Sequence, residues 1–191
     1  MKKIIIAVSC YFYLALACFT NPITPPNNGT YINNFLLVDQ KLNVYSNYPL
    51  EQNNPSITSI ILAIAGHEHA PEKLLHTMNE TLKFNDSFQN TLLIVPFFKT
   101  INDNIEPKEL FWNQDGWLCG GITQNKYIEM SSFTVTDLLL SNLIASDSFP
   151  NLQCLTVVGH NAGGQFTRLY AKSSKLAEQF SNIEIDYFIL Q

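Results

Sequence analysis

Charge is what this sequence has least of. Only 14% of its 191 residues are charged, and the basic ones are outnumbered 11 to 16, for a formal net charge of −5. A nucleic-acid surface needs a basic stripe or patch. None is present, so nucleic acid is excluded as a partner. Histidine is also scarce: His67, His69, His76 and His160 are all there are. No Cys-x-x-Cys pair and no His/Cys cluster with zinc spacing occurs, so neither a metal nor a cofactor is expected. His67 and His69 flank Glu68, but two ligands on one short loop do not make a metal site, and a structural or solvent role is expected for them. Repeats and low-complexity segments are missing. No apolar run reaches the roughly 20 residues of a membrane span. Against these absences stand 46% apolar and 12% aromatic residues, which argue against disorder. They suffice for one domain with a real core, in a chain too short for two comfortable ones.

The first residues read as an export signal. Met1-Lys2-Lys3 is positive, Ile4 to Leu16 is almost wholly apolar, and Ala15-Leu16-Ala17 is a small-x-small cleavage site. The organisation expected is a signal over 1–17, a Pro/Asn linker over 18–30 and one domain over 31–191. Cleavage after Ala17 would leave Cys18 first, and Leu14-Ala15-Leu16-Ala17-Cys18 is somewhat like a lipobox. The protein is therefore expected outside the cytoplasm, periplasmic or extracellular, and on a membrane only if Cys18 is lipidated. Export permits a disulfide. Cys154 in an apolar strand reads as a buried free thiol, and a Cys119–Cys154 pair is left open. Asn28, Asn79 and Asn85 each begin a glycosylation sequon, expected unmodified because the signal is of bacterial type.

Periodicity gives an α/β order. Tyr31 to Tyr45 holds two β-rich runs that can form a hairpin through Asp39-Gln40-Lys41. Ile57 to Ala65 is a continuous apolar run, as in a parallel strand buried on both faces. Pro71 to Phe84 has helical spacing, with Leu74, Leu75, Met78 and Leu82 on one face and Pro71 in the first turn. Thr91 to Phe97 is the next buried strand, and strand–helix–strand implies a parallel sheet. Residues 99–130 form a long irregular stretch, a type of loop that is often functional. Ser131-Ser132 caps a helix to about Ala145. Leu152 to Val158 is a third buried strand, a helix runs from Gly164 to about Phe180, and Ile183 to Leu190 is a last strand.

The turn at Gly159-His160-Asn161-Ala162-Gly163-Gly164 carries the functional argument. A buried strand enters it and a helix leaves it. A nucleophile elbow has the form Gly-x-Ser-x-Gly in this context, with the nucleophile on a strained apex and glycines letting strand and helix approach. Gly159, Gly163 and Gly164 meet that need, and Asn161 holds the apex.

On these residues the chain resembles the α/β-hydrolase superfamily, in particular a secreted bacterial and fungal serine-hydrolase-like branch. Ile64-Ala65-Gly66-His67 looks like the strand end and loop that supply an oxyanion-hole amide, and Phe111-Trp112 through Gly116-Trp117 to Gly120-Gly121 resembles a loop of that branch. The likeness covers about residues 31–190. It implies a mostly parallel α/β sheet flanked by helices, incomplete at its C-terminal edge. It also implies an oxyanion hole from Gly66, His67 and Ala162, and a small-molecule acyl substrate or ligand. His160 is expected to pack beside the elbow. Trp112 and Trp117 could line the pocket or cover the sheet end as core.

Two departures set the functional expectation. Asn161 has no nucleophilic hydroxyl. Some relatives carry Asp here and attack alkyl carbons; Asn is not Asp, and Asn-Ala is not a fast deamidating pair. The family's triad order is nucleophile, acid, histidine. No histidine follows Asn161, and the acids that do are Glu178, expected on a helix surface, and Glu184 and Asp186, alternating along a strand. Asp115 and Asp137 are expected on a loop and a helix surface, and Arg168 on the surface. Losing one triad member costs about 10⁴- to 10⁶-fold in turnover. The chain is thus expected to be catalytically inactive and to be cut short, with an active esterase-type hydrolase or a non-enzymatic binding protein as alternatives.

Overall fold

The computed structural model describes residues 17–20, 30–68, 70–85, 87–126 and 128–190. Its central sheet has seven strands in the order β1-β2-β3-β5-β4-β8-β9. These are β1 (Ala17–Thr20), β2 (Tyr31–Leu37), β3 (Gln40–Ser46), β4 (Ser59–Ile64), β5 (Thr91–Pro96), β8 (Cys154–His160) and β9 (Glu184–Leu190). The pairings from β1 to β5 are antiparallel, and those joining β5, β4, β8 and β9 are parallel. Helix α1 (Pro71–Phe84) makes the crossover from β4 to β5; α2 (Ser132–Ala145) precedes β8; α3 (Ala162–Ser173) and α4 (Leu176–Gln179) lie between β8 and β9.

Residues 18–20, expected in a linker, continue the sheet: Cys18 pairs with Leu36 and Thr20 with Asn34, giving the outer backbone groups of β2 their ladder partners. Residues 1–16 of the expected signal, and 21–29 of the linker, lie outside the described residues. The hairpin forms, turning at Val38-Asp39, where Val38 has φ 61°.

Each face of the sheet has its own cover. On one side Ile60, Leu62, Ile64, Leu92, Ile94, Leu155 and Val157 meet α2, α3 and the aromatic cluster of Phe98, Trp112, Trp117, Phe166 and Tyr170. Phe98 stacks on Trp117 at 5.6 Å and on Phe166 at 5.2 Å. On the other side Ala63, Leu93 and Val95 meet Leu75 of α1. Helix α1 lies over β3, β4 and β5, with Tyr45 and Val158 at the margins of this cluster. In the register Val158 stands beside Phe188 and His160 beside Leu190. Phe188 and Leu190 are each 54% exposed, so this half of the face is open to solvent among the described residues.

Two side-chain clusters fix the rest. The long stretch after β5 is pinned by buried Glu109, whose carboxylate accepts from Lys99 Nζ at 2.5 Å, from Asn43 Nδ2 at 2.6 Å and from the Glu106 amide at 2.8 Å. That stretch contains the short parallel pair β6 (Lys99–Thr100) and β7 (Phe111–Trp112), then a 3-10 turn at Gly116–Cys119. Asp137, expected on a helix surface, instead faces α3: it accepts hydrogen bonds from the Tyr170 hydroxyl at 2.6 Å and the Ser174 hydroxyl at 2.8 Å. Helical spacing cannot reveal this, because the partners lie more than 30 residues away. The Asn79 sequon is blocked, since Asn79 is buried on the inner face of α1.

Candidate active site

Strand β8 ends and α3 begins within two residues, and the sharpness of that joint comes from missing side chains. A Cβ on Gly159 would lie 2.1 Å from the Gly163 carbonyl oxygen, and one on Gly163 would lie 2.2 Å from the Ile64 carbonyl oxygen. Neither distance is attainable, so the helix start rests against β8 and against the end of β4 only because both are glycine. Gly164 is tight rather than obligatory: a Cβ there would meet the Gly159 and Leu190 oxygens at 3.1 Å. At Gly66 an added Cβ would meet only the His160 oxygen, at 3.8 Å, so packing does not demand glycine there.

Asn161 sits at the apex with φ 54° and ψ −116°. This is a sparsely populated region for a residue with a side chain, and it is held by its surroundings. The Asn161 amide donates to the Leu190 oxygen at 3.3 Å, and its carbonyl accepts from the Gln165 amide at 2.9 Å. Asparagine at the start of a helix ordinarily caps it from an extended backbone. Here the backbone is not extended, and the side chain makes no capping bond. It is exposed at the mouth of a cleft.

That cleft has a volume of about 460 Å³ and runs between the ends of β4 and β8, α1 and Leu190. Gly66, His67, Gly159, His160 and Asn161 line it, as do Lys73, Thr77 and Met78 of α1. Ala162 begins α3 directly behind Asn161, where first-turn amides have no partner within the helix and carry the positive end of its dipole. The sequence thus brings together Gly66, His67, His160, Asn161 and Ala162. It does not bring in the tryptophans. Trp112 and Trp117 are buried, in the core cluster beneath, and neither lines this cleft. Their size and apolar neighbours were better used under the sheet than at its rim. The wall from α1 carries no motif that marks it in the sequence, although the loop through Gly66 leads straight into that helix. At the rim Lys73 pairs with Glu68 at 3.6 Å, both exposed, a contact worth little on its own.

Among the described residues, the titratable groups near the apex do not form a relay. His160 is exposed, Arg168 and Glu178 face solvent, and Glu184 and Asp186 stand exposed along β9. Tyr170 is buried and its hydroxyl is held well above the ordinary range by burial first and by Asp137 second, but its partner is Asp137 on the covered side of the sheet. Cys119 and Cys154 are both free thiols, Cys119 exposed and Cys154 half-buried rather than buried. Burial raises the Cys154 thiol, and Glu184 and Asp186 raise it further. His69 lies outside the described residues; among those described, no group of three metal-ligating side chains occurs and no helix is long and apolar enough to cross a membrane.

The sequence matches no protein-family model and no curated protein. Among solved structures it is similar to LpqC, a poly(3-hydroxybutyrate) depolymerase from Bordetella parapertussis, with 15% identity and a TM-score of 0.51 over 87% of this chain and 50% of that one. The chain has an α/β-hydrolase-type fold. It spans half the length of that depolymerase. Lower scores join it to the BES protein from Bacillus cereus (13% identity, TM-score 0.48, 87% of this chain and 62% of that). A Paenibacillus sp. R4 acetyl xylan esterase is similar at 9% identity and TM-score 0.47, over 96% and 58%. In this α/β-hydrolase-type sheet the cleft lies at the carboxyl ends of the parallel strands, the usual place for a ligand in open α/β sheets.

Proposed function

We propose that this is an exported α/β-hydrolase-like protein whose elbow cleft holds a small acyl or carbonyl ligand without cleaving it. One observation carries the reading: the elbow geometry is intact, and its apex bears a carboxamide. Amides at His67 and Ala162 would polarise a carbonyl placed in the cleft. Asn161 offers that carbonyl a hydrogen bond and no nucleophile. Removing a nucleophile alone lowers turnover about 10⁴- to 10⁶-fold. Export rests on the run from Met1 to Ala17, with lipidation of Cys18 as its variant.

The test has two arms. The purified chain is assayed against a short-chain aryl ester, and its thermal stability is measured with short-chain carboxylates and esters. No turnover with a ligand-dependent rise in Tm is expected. Turnover abolished by Asn161→Ala would overturn the reading.

A second reading is a segment of an esterase-type hydrolase acting on acyl esters. It is favoured by the half-length match to the depolymerase. It requires a longer chain carrying Ser at position 161 to gain ester turnover over the Asn161 form.

A further inference from the structure

We infer that the elbow is a self-modification site at which Asn161 cyclises onto the Ala162 amide and loses ammonia. Asparagine converts to a cyclic imide when the following backbone nitrogen reaches its side-chain carbon. The ring closes only if Cβ and that nitrogen lie on the same side of the Cα–C bond. At an L-residue the Cβ branch is offset by a third of a turn from the backbone nitrogen. The ψ of −116° at Asn161 therefore brings Cβ almost into eclipse with the Ala162 nitrogen, as the ring requires. Extended and helical residues hold these atoms well apart. An unfolded chain must find the torsion by chance, at a cost in conformational freedom; the elbow has it built in. Gly159 and Gly163 permit it: a Cβ on either would lie 2.1 or 2.2 Å from a carbonyl oxygen, so only glycines let the strand and helix meet closely enough for this turn.

Two further features favour the reaction. Ala162 is the first residue of a 12-residue helix. Its amide lies at the positive end of the dipole, which stabilises the nitrogen anion that attacks. The Asn161 side chain is exposed and makes no capping bond, so it is free to turn and water can reach the product.

The step balances without a further reagent. The Ala162 N–Cγ bond forms as the Ala162 amide proton passes to solvent base, Nδ2 takes a proton back from solvent, the Cγ–Nδ2 bond breaks, and Nδ2 leaves as ammonia. Water then adds to one imide carbonyl, giving aspartate or isoaspartate at 161. Neutral Asn becomes a carboxylate at a helix start, where a negative charge is welcome. Sequence alone makes Asn-Ala a slow pair; the fold removes the torsional search that makes it slow.

The test follows residue 161 in the full chain by peptide mass mapping during incubation at mildly alkaline pH. One sample is in native buffer, taken from material with a cooperative melt, and one in urea. Asn28-Gly29 serves as an internal reference in the unfolded sample. The expected result is an ammonia-loss product at 161, then aspartate and isoaspartate, forming about tenfold or more faster in native buffer than in urea, as fits pre-set geometry. Asn161→Gln, whose ring would be one atom larger, should remain unmodified under the same conditions. A native rate equal to or below the urea rate overturns the inference, as does an unchanged Asn161 in native material while Asn28 in urea converts.

Discussion

Ile64 and Gly163 meet where β4 ends and α3 begins: the Ile64 carbonyl oxygen occupies the place a Gly163 side chain would need, 2.2 Å from its would-be Cβ. One is the last residue of a strand and the other the second residue of a helix almost a hundred positions later. Their contact sets the distance between the loop through Gly66 and the apex at Asn161. Gly163→Ala must push the helix off the strand. Overpacking against backbone costs about 3 kcal/mol, so a clear fall in Tm is expected. Gly66→Ala, with ordinary contact distance around it, should leave Tm nearly unchanged. Equal effects from the two would contradict the packing described.

Tyr170→Phe removes the hydrogen bond to Asp137 and leaves a half-buried carboxylate with one fewer donor. Bonds to charged groups are worth about 2 kcal/mol, and chemical denaturation should read a loss of that order.

The pH dependence of the same cluster has a definite sign. Burial raises the Asp137 carboxyl, opposed by hydrogen bonds from Tyr170, Ser174 and the Lys175 backbone. A raised folded-state value means that folding favours the protonated acid. The contribution is full below the ordinary aspartate value of about 4 and is lost as pH rises through the raised value. Stability measured from acid toward neutral pH should fall more steeply in the native protein than in Asp137→Asn.

Glu109 behaves in the opposite sense. Burial works to raise its carboxyl, but the bonds from Lys99, the Glu106 amide and Asn43 together prevail and lower it. Its contribution is present above the ordinary glutamate value and is lost as pH falls through the lowered one, in the range below about 4. Lys99→Met removes the nearer of two cations and its hydrogen bond, leaving Glu109 with Lys41 at 3.9 Å, at a cost of about 2 kcal/mol. Adding Glu109→Leu to that variant should recover much of the loss, and denaturant midpoints of the three proteins check this.

On β9, Phe188 and Leu190 stand exposed beside an edge that pairs only with β8 among the described residues. Exposed apolar edges promote association. Sedimentation should show concentration-dependent self-association that weakens in Phe188→Lys. A monomer at all concentrations would contradict this.

Local chemistry was legible in the sequence where it rested on nearby residues. The helix over Pro71–Phe84 follows from its leucine spacing and its N-terminal proline, and the Ser131 cap is made, its side chain accepting from the Thr134 amide at 3.0 Å. The elbow is legible because its glycines are four residues apart. What stayed hidden depends on distant partners. Asp137 looks like a surface acid until Tyr170 is brought beside it. Trp112 and Trp117, open to either a pocket or a core role in the sequence, are placed in the core cluster once β6, β7 and the 3-10 turn fold. The α1 wall of the cleft and the β1–β2 pairing likewise join segments that no short pattern relates.

The shape of the elbow is dictated by what flanks its tip. Gly159, Gly163 and the Ile64 oxygen fix the backbone, while the side chain at 161 points into open space and supports nothing. The tip is therefore an interchangeable part. A serine, cysteine or aspartate placed there would inherit the same pose with little effect on folding, which makes this chain a ready scaffold for comparing nucleophiles on one unchanging mount.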